Sequence, residues 1–178
     1  MPAAARRKQR AQRLKLLGQF VREHSWGVMI TVLIVIALVL FVCVIAGASP
    51  KQADEPQTAQ DADTVYGDSF TRSGSAVTGI GNNVSLVWEN MDFGTSTHAE
   101  LRLDGQTPLS TNPVTIRFTN QEGEQLTSLA QFSGTERGVQ CFDVNVLPGV
   151  CSVAFVFLPG SQFDFYGFTF VKQEEAAQ

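Results

Sequence analysis

The sequence predicts an all-β fold, an antiparallel β-sandwich, placed behind a single transmembrane α-helix. Three observations predict it. Residues 26–48 form a run of 23 residues without a charge, WGVMITVLIVIALVLFVCVIAGA. From Val65 onward, apolar residues recur at every second position in short runs separated by turn residues, with no helical periodicity; that is the texture of half-buried antiparallel strands. Charge is also polarised about the apolar run. Arg6, Arg7, Lys8, Arg10, Arg13, Lys15 and Arg22 precede it against Glu23 alone, while the remainder of the 178-residue chain is strongly acidic.

The apolar run comes first. As a helix it reaches roughly 35 Å, enough to cross a hydrocarbon core of about 30 Å with some tilt. Its many Ile, Leu, Val and Phe residues each favour insertion by about 0.3–0.6 kcal/mol near the bilayer centre. Basic residues stay cytoplasmic, so residues 1–25 are expected inside the cell and residues 49–178 outside. The apolar core exceeds the roughly 7–15 residues of a cleaved signal peptide, which favours an uncleaved signal-anchor; the alternative is cleavage after Ala48, where Ala46-Gly47-Ala48 forms an A-x-A site. In residues 1–25, Leu14, Leu17 and Val21 share a helical face. A basic helix there suits anionic membrane lipid or, alternatively, a cytoplasmic partner.

Residues 49–64, SPKQADEPQTAQDADT, are polar and acidic and are expected to form a flexible linker. The module follows over residues 65–172, with residues 173–178 as a disordered tail. Val84, Leu86 and Trp88 alternate with Ser85, Val87 and Glu89; Leu101 and Leu103 with Arg102 and Asp104; Val114, Ile116 and Phe118 with Thr115, Arg117 and Thr119; Phe142, Val144 and Val146 with Asp143 and Asn145. Residues 151–158 and 163–171 are apolar on both parities and Phe-rich, so they are expected centrally. Turn signals such as Pro148-Gly149 and Pro159-Gly160 separate the runs. About eight short strands over this length is the arithmetic of a sandwich, with an aromatic core.

Composition narrows the function. Two His cannot build a three-His metal site and three Cys cannot build a four-thiolate one. The acidic outer part argues against nucleic acid. His98 has no neighbouring nucleophile motif, so no catalytic residue is assigned and the chain is read as non-enzymatic. Cys141 and Cys151 lie on the oxidising side in this orientation and form either a disulfide or two separately packed thiols.

Several motifs follow one another in a familiar order: YGDSF at 66–70, IGNNVSLVWENMDFG at 80–94, DGQTPL at 104–109, VTIRF at 114–118 and VFLPGSQFDFYGFTF at 156–170. Together they resemble a galactose-binding-like jelly-roll module of the carbohydrate-binding module family six type, as appended to bacterial glycoside hydrolase family two β-galactosidases. The resemblance spans residues 66–171 and implies a two-sheet jelly roll with sugar binding and no glycosidase activity. Related modules carry a platform Trp within the stretch matching residues 134–140, where this chain has Val139. They also hold a structural calcium between an N-terminal acidic residue and a carboxylate in the last strand; Asp68 and Asp164 stand in those places.

Sugars are held by aromatic faces flanked by planar hydrogen-bonding groups. The candidates are Tyr66, Trp88, Phe93 and Tyr166, with Asn82, Asn83 and Asp92 at the two ends of one strand. Trp88 shares parity with Val84 and Leu86, and Tyr166 with Phe168 and Phe170, which is also the pattern of core residues. The sequence reading is therefore a non-catalytic, membrane-anchored carbohydrate-binding module displayed outside the cell. Its alternative is an assembly subunit that presents the sandwich to another envelope protein.

Overall fold

The computed structural model describes residues 29–38 and 49–172. The chain divides into two units, Met1–Ala48 and Ser49–Gln178. In the first, residues 29–38 form a helix whose side chains are exposed. No helix among the described residues is long and apolar enough to cross a membrane. The rest of the expected span 26–48, the basic segment 1–25 and the tail 173–178 lie outside the described residues.

The second unit is a sandwich of two six-stranded sheets. Its strands are β1 (Lys51–Gln52), β2 (Gln57–Thr58), β3 (Thr64–Tyr66), β4 (Thr71–Ser73), β5 (Ala76–Ile80), β6 (Val84–Asp92), β7 (His98–Gln106), β8 (Asn112–Asn120), β9 (Gln125–Phe132), β10 (Gly138–Asn145), β11 (Val150–Phe157) and β12 (Phe163–Lys172). One sheet runs β1-β6-β11-β8-β9, with β3 also on β6; the other runs β10-β7-β12-β5-β4, with β2 also on β12. The alternating runs expected from the sequence become β6, β7, β8 and β10, and the doubly apolar runs become β11 and β12, each flanked by strands on both sides. Period-2 patterning places Leu101, Leu103, Val114, Ile116, Phe118, Val153 and Phe155 between the sheets. Strand β9, whose sequence QLTSLAQF alternates only weakly, was not anticipated.

Residues 49–64 overturn the expectation of a flexible linker. They wrap one side of the sandwich and extend both sheets. Strand β1 runs parallel to the end of β6, and β3 runs antiparallel to its start. Strand β2 pairs with β12 at Gly167 and Phe168. Between them, Ala53 donates to Asp92 O at 3.2 Å and accepts from Phe170 N–H at 3.0 Å, so one residue bridges the two sheets. Ala53, Ala59 and Ala62 are buried. Composition misled here because alanine adds little apolar bulk, yet its small side chain lets the backbone run close over the sheet edges and exchange hydrogen bonds with both. The module starts at Ser49 rather than at residue 65.

One ion pair anchors this wrap. Lys51 Nζ lies 2.7 Å from Asp63 Oδ2, which also accepts from Glu89 N–H at 2.8 Å. Burial raises the Asp63 pKa, but the hydrogen bonds from Lys51 and Glu89 and the Lys51 charge outweigh it, so the carboxyl lies below the ordinary 3.8. A depressed folded pKa contributes stability that is complete above the unfolded value and is lost as the pH falls through the folded one. Asp63→Asn is therefore expected to lower stability at pH 7 and to flatten the loss on acidification below about pH 4, read from urea midpoints at the two pH values. The pair is part-exposed, so the effect is expected at about 1 kcal/mol or less.

Cys141 and Cys151 are both free. Cys141 lies on β10 in one sheet and Cys151 on β11 in the other, because the chain changes sheets across residues 146–149 instead of forming a hairpin there. Cys141 is exposed, whereas Cys151 is buried, its Sγ donating to Leu147 O at 3.4 Å. Burial, aided by the Asp92 charge, pushes the Cys151 thiol up. On the folded module a thiol reagent at neutral pH is expected to label Cys141 rapidly and Cys151 only after denaturation. Equal labelling of both, or of neither, would contradict this placement.

Candidate functional site

The structure distributes the sugar-site candidates over the molecule. Trp88 is fully buried, with ring centroids 4.8 Å from Phe168 and 5.6 Å from both Phe155 and Phe165. It belongs to the core and offers no exposed platform. Phe93 is likewise buried, against Phe118 and Phe170. Asn82 Oδ1 accepts from Gly160 N–H at 2.7 Å and so holds the turn before β12. Asp92 Oδ1 accepts from Gly94 N–H at 2.8 Å and shapes the turn after β6. Tyr66 is exposed on the outer face of the β6 sheet, opposite Ser85.

Tyr166 lies on the outer face of the other sheet. Its parity with Phe168 and Phe170 places it in the core only if β12 is regular. A bulge interrupts the β12–β7 register between Phe165 and Gly167. Phe163 and Phe165 point inward before it, Phe168 and Phe170 point inward after it, and Tyr166 is turned outward and left half-buried. Gly167 permits this, because a Cβ there would lie 2.5 Å from the Gln57 carbonyl oxygen of the neighbouring strand.

Around Tyr166 the outer face gathers side chains from three strands and a loop. In the ladder, Gly167 stands opposite Asp104 on β7, and Asp104 opposite Val139 on β10. The Arg137 guanidinium carbon sits 4.0 Å from the centre of the Tyr166 ring. The same group makes a two-pronged contact with Asp104, Nε to Oδ1 at 3.2 Å and Nη2 to Oδ2 at 2.7 Å. The hydrogen bond with Asp104 raises the Arg137 pKa further above its already high ordinary value. Two residues along β7, on the same face, Gln106 Nε2 donates to Thr135 O at 2.7 Å, which ties the loop carrying Arg137 to the sheet. Val139 is 60% exposed beside this group. An aromatic ring, a guanidinium, a carboxylate and an amide thus share one outward face, with hydrogen-bonding capacity left on each polar group.

Sequence reasoning missed Arg137, Asp104 and Gln106. Asp104 read as the polar partner of an ordinary strand, and Arg137 lay unremarked within the stretch 134–140. Only the register of three strands and the bulge bring them to Tyr166, and no local pattern carries that information.

Asp68 and Asp164 are the two carboxylates expected at a calcium site. Asp164 Oδ1 accepts from Gly79 N–H at 2.8 Å. Among the described residues, neither Asp68 nor Asp164 belongs to a group of three or more His, Cys, Asp or Glu side chains that could hold a metal. Calcium takes about 6–8 oxygen ligands, so these two carboxylates would need carbonyl, amide or water oxygens to complete a site.

No protein-family model matches the chain, and neither does any curated protein. Solved structures do match in fold. A family 6 carbohydrate-binding module from Clostridium stercorarium, in complex with cellobiose, shares 21% identity and a TM-score of 0.56 over 71% of this chain and 100% of its own. A β-1,3-glucan-binding family 6 module from Bacillus halodurans shares 16% identity at TM-score 0.56, over 69% of this chain and 99% of its own. A family 35 carbohydrate-binding module from Clostridium thermocellum shares 17% identity at TM-score 0.52, over 66% and 98%. The chain therefore has the two-sheet sandwich fold of these modules.

Proposed function

We propose that the chain is a non-catalytic glycan-binding module held at the outer surface of a membrane by its apolar segment. The observation that carries the reading is the outward cluster of Tyr166, Arg137, Asp104 and Gln106, set on a sandwich with the fold of carbohydrate-binding modules. The apolar faces of a pyranose suit the Tyr166 ring edge and exposed Val139. Its hydroxyls suit the carboxylate, guanidinium and amide, which are charge-assisted or planar partners. The anchoring part of the reading rests on the uncharged run 26–48 and the basic residues before it. Tethering keeps the module at high local concentration, so that weak binding suffices for retention at a surface.

A glycan array probed with residues 49–178 tests the reading. Wild-type protein is expected to bind at least one glycan class. Asp104→Ala and Tyr166→Ala are expected to weaken that binding by about tenfold or more, the loss of one charge-assisted hydrogen bond or of the aromatic contact. Unchanged binding in both variants moves the site off this face, and no binding by wild type removes the function. Carbonate extraction of cell membranes separately tests the anchor.

A further inference from the structure

The two long sides of the sandwich are finished differently. Residues 51–66 seal one side by adding β1, β2 and β3 to the edges of β6 and β12. On the opposite side the sheets end in β9 and β10, each hydrogen-bonded to a single neighbour. Open edge strands pair readily with other chains, and proteins ordinarily blunt them with charge, proline or shortness.

Strand β9 has none of these. It runs for eight residues, QLTSLAQF, without charge, proline or glycine. Its free backbone groups can be assigned. Asn120 N–H donates to Glu124 O at 3.1 Å and Gly123 N–H to Asn120 O at 3.1 Å, which closes the β8–β9 hairpin on the pair 120–124. Hydrogen-bonded pairs alternate along an antiparallel ladder, so Leu126, Ser128 and Ala130 bond to β8. Gln125, Thr127, Leu129 and Gln131 direct their N–H and C=O groups away from it. The same four residues present exposed side chains, Leu129 at 55%.

Strand β10 is the lesser template. The bond from Val146 N–H to Thr97 O, 2.9 Å, fixes its outward groups as those of the odd-numbered residues, and the outward Asn145 O already accepts from Ser128 Oγ at 3.0 Å. Asp143 would also bring like charges together in a symmetric pair.

We propose that β9 is a self-pairing edge, and that a second copy of this chain joins it as an antiparallel strand about a two-fold axis at Ser128. That register sets Thr127 against the second copy's Leu129, and Gln125 against its Gln131, each pair with both backbone groups free. Every facing side chain is neutral. The choice of a second copy follows from charge and self-complementarity. Residues 49–172 carry six basic and fourteen acidic residues, so two copies repel over most of their surfaces, and uncharged β9 is where they can meet without that penalty. The pairing joins the two β6 sheets into one and leaves the Tyr166 face on the other sheet open, so it is independent of glycan binding.

Sedimentation equilibrium of residues 49–178 tests the proposal; among the described residues, the buried core of this unit runs from Ala53 to Phe170. Wild type is expected to dimerise reversibly. Thr127→Pro removes an N–H that β8 does not use, and Leu129→Lys sets a charge on the strand; each is expected to raise the dimer dissociation constant about tenfold or more with an unchanged circular dichroism spectrum. Ser128→Cys in a Cys141→Ser background is expected to give a disulfide-linked dimer under oxidation, since directly opposed residues fall within the Cα separation a disulfide spans. A wild type that stays monomeric at millimolar concentration, or dimers that persist in both edge variants, overturns the proposal.

Discussion

A chain that begins at Val65 is expected to be much less stable than one that begins at Ser49. The shorter chain loses β1, β2 and the first residue of β3, and it uncovers the edges of β6 and β12 along one side of the core. Buried Ala53, Ala59 and Ala62 are removed, along with the hydrogen bonds from Asp63 N–H to Val87 O at 2.8 Å and from Phe170 N–H to Ala53 O at 3.0 Å. Each backbone bond contributes about 0.5–1.5 kcal/mol net, and the exposed apolar edge adds to that, so the loss is expected at about 3–5 kcal/mol. For a module of this size that lowers the melting temperature by roughly 15 °C or more. A thermal melt of the two chains, followed by circular dichroism, decides the matter. Equal melting temperatures would return residues 49–64 to the status of a flexible stalk.

Trp88→Ala is expected to cost about 3–5 kcal/mol, the range for truncating a large buried aromatic. Trp88 sits on β6 but touches Phe155 of its own sheet and Phe165 and Phe168 of the facing one, so its loss opens a cavity between the layers. Its Nε1–H is buried and has no hydrogen-bond partner among the described residues. Trp88→Phe is accordingly expected to cost markedly less than Trp88→Ala, because the lost ring contacts are partly offset by removal of an unsatisfied polar group. Urea denaturation of the three proteins measures both differences. A Trp88→Ala protein with wild-type stability and lost glycan binding would instead make Trp88 an exposed platform residue, against its burial.

Much of the sandwich was legible locally. Where one parity is apolar and the other polar, as in Leu101–Asp104 and Val114–Thr119, a half-buried strand is the arrangement that buries the first set and wets the second. The residues of β9 and of the N-terminal wrap carry weak patterns, Ser and Gln in one and Ala in the other. Their place comes from hydrogen bonds with strands distant in the chain. The candidate face divides the same way. Tyr166 was visible as an aromatic among candidates, while Asp104 and Arg137 were visible only as ordinary charges.

The sequence by itself determined the two-sheet β-sandwich class, the aromatic core, the alternating strands and the polarised charge about an uncharged run, because these depend on residue type and short-range periodicity. The tertiary structure decided the true start of the module, the separation of Cys141 from Cys151, and the outward turn of Tyr166 toward Arg137 and Asp104. Those depend on which strands pair, in which register, and where one extra residue is inserted. A single bulge reverses the face on which every later side chain lies, and nothing in a stretch of neighbouring residues records it.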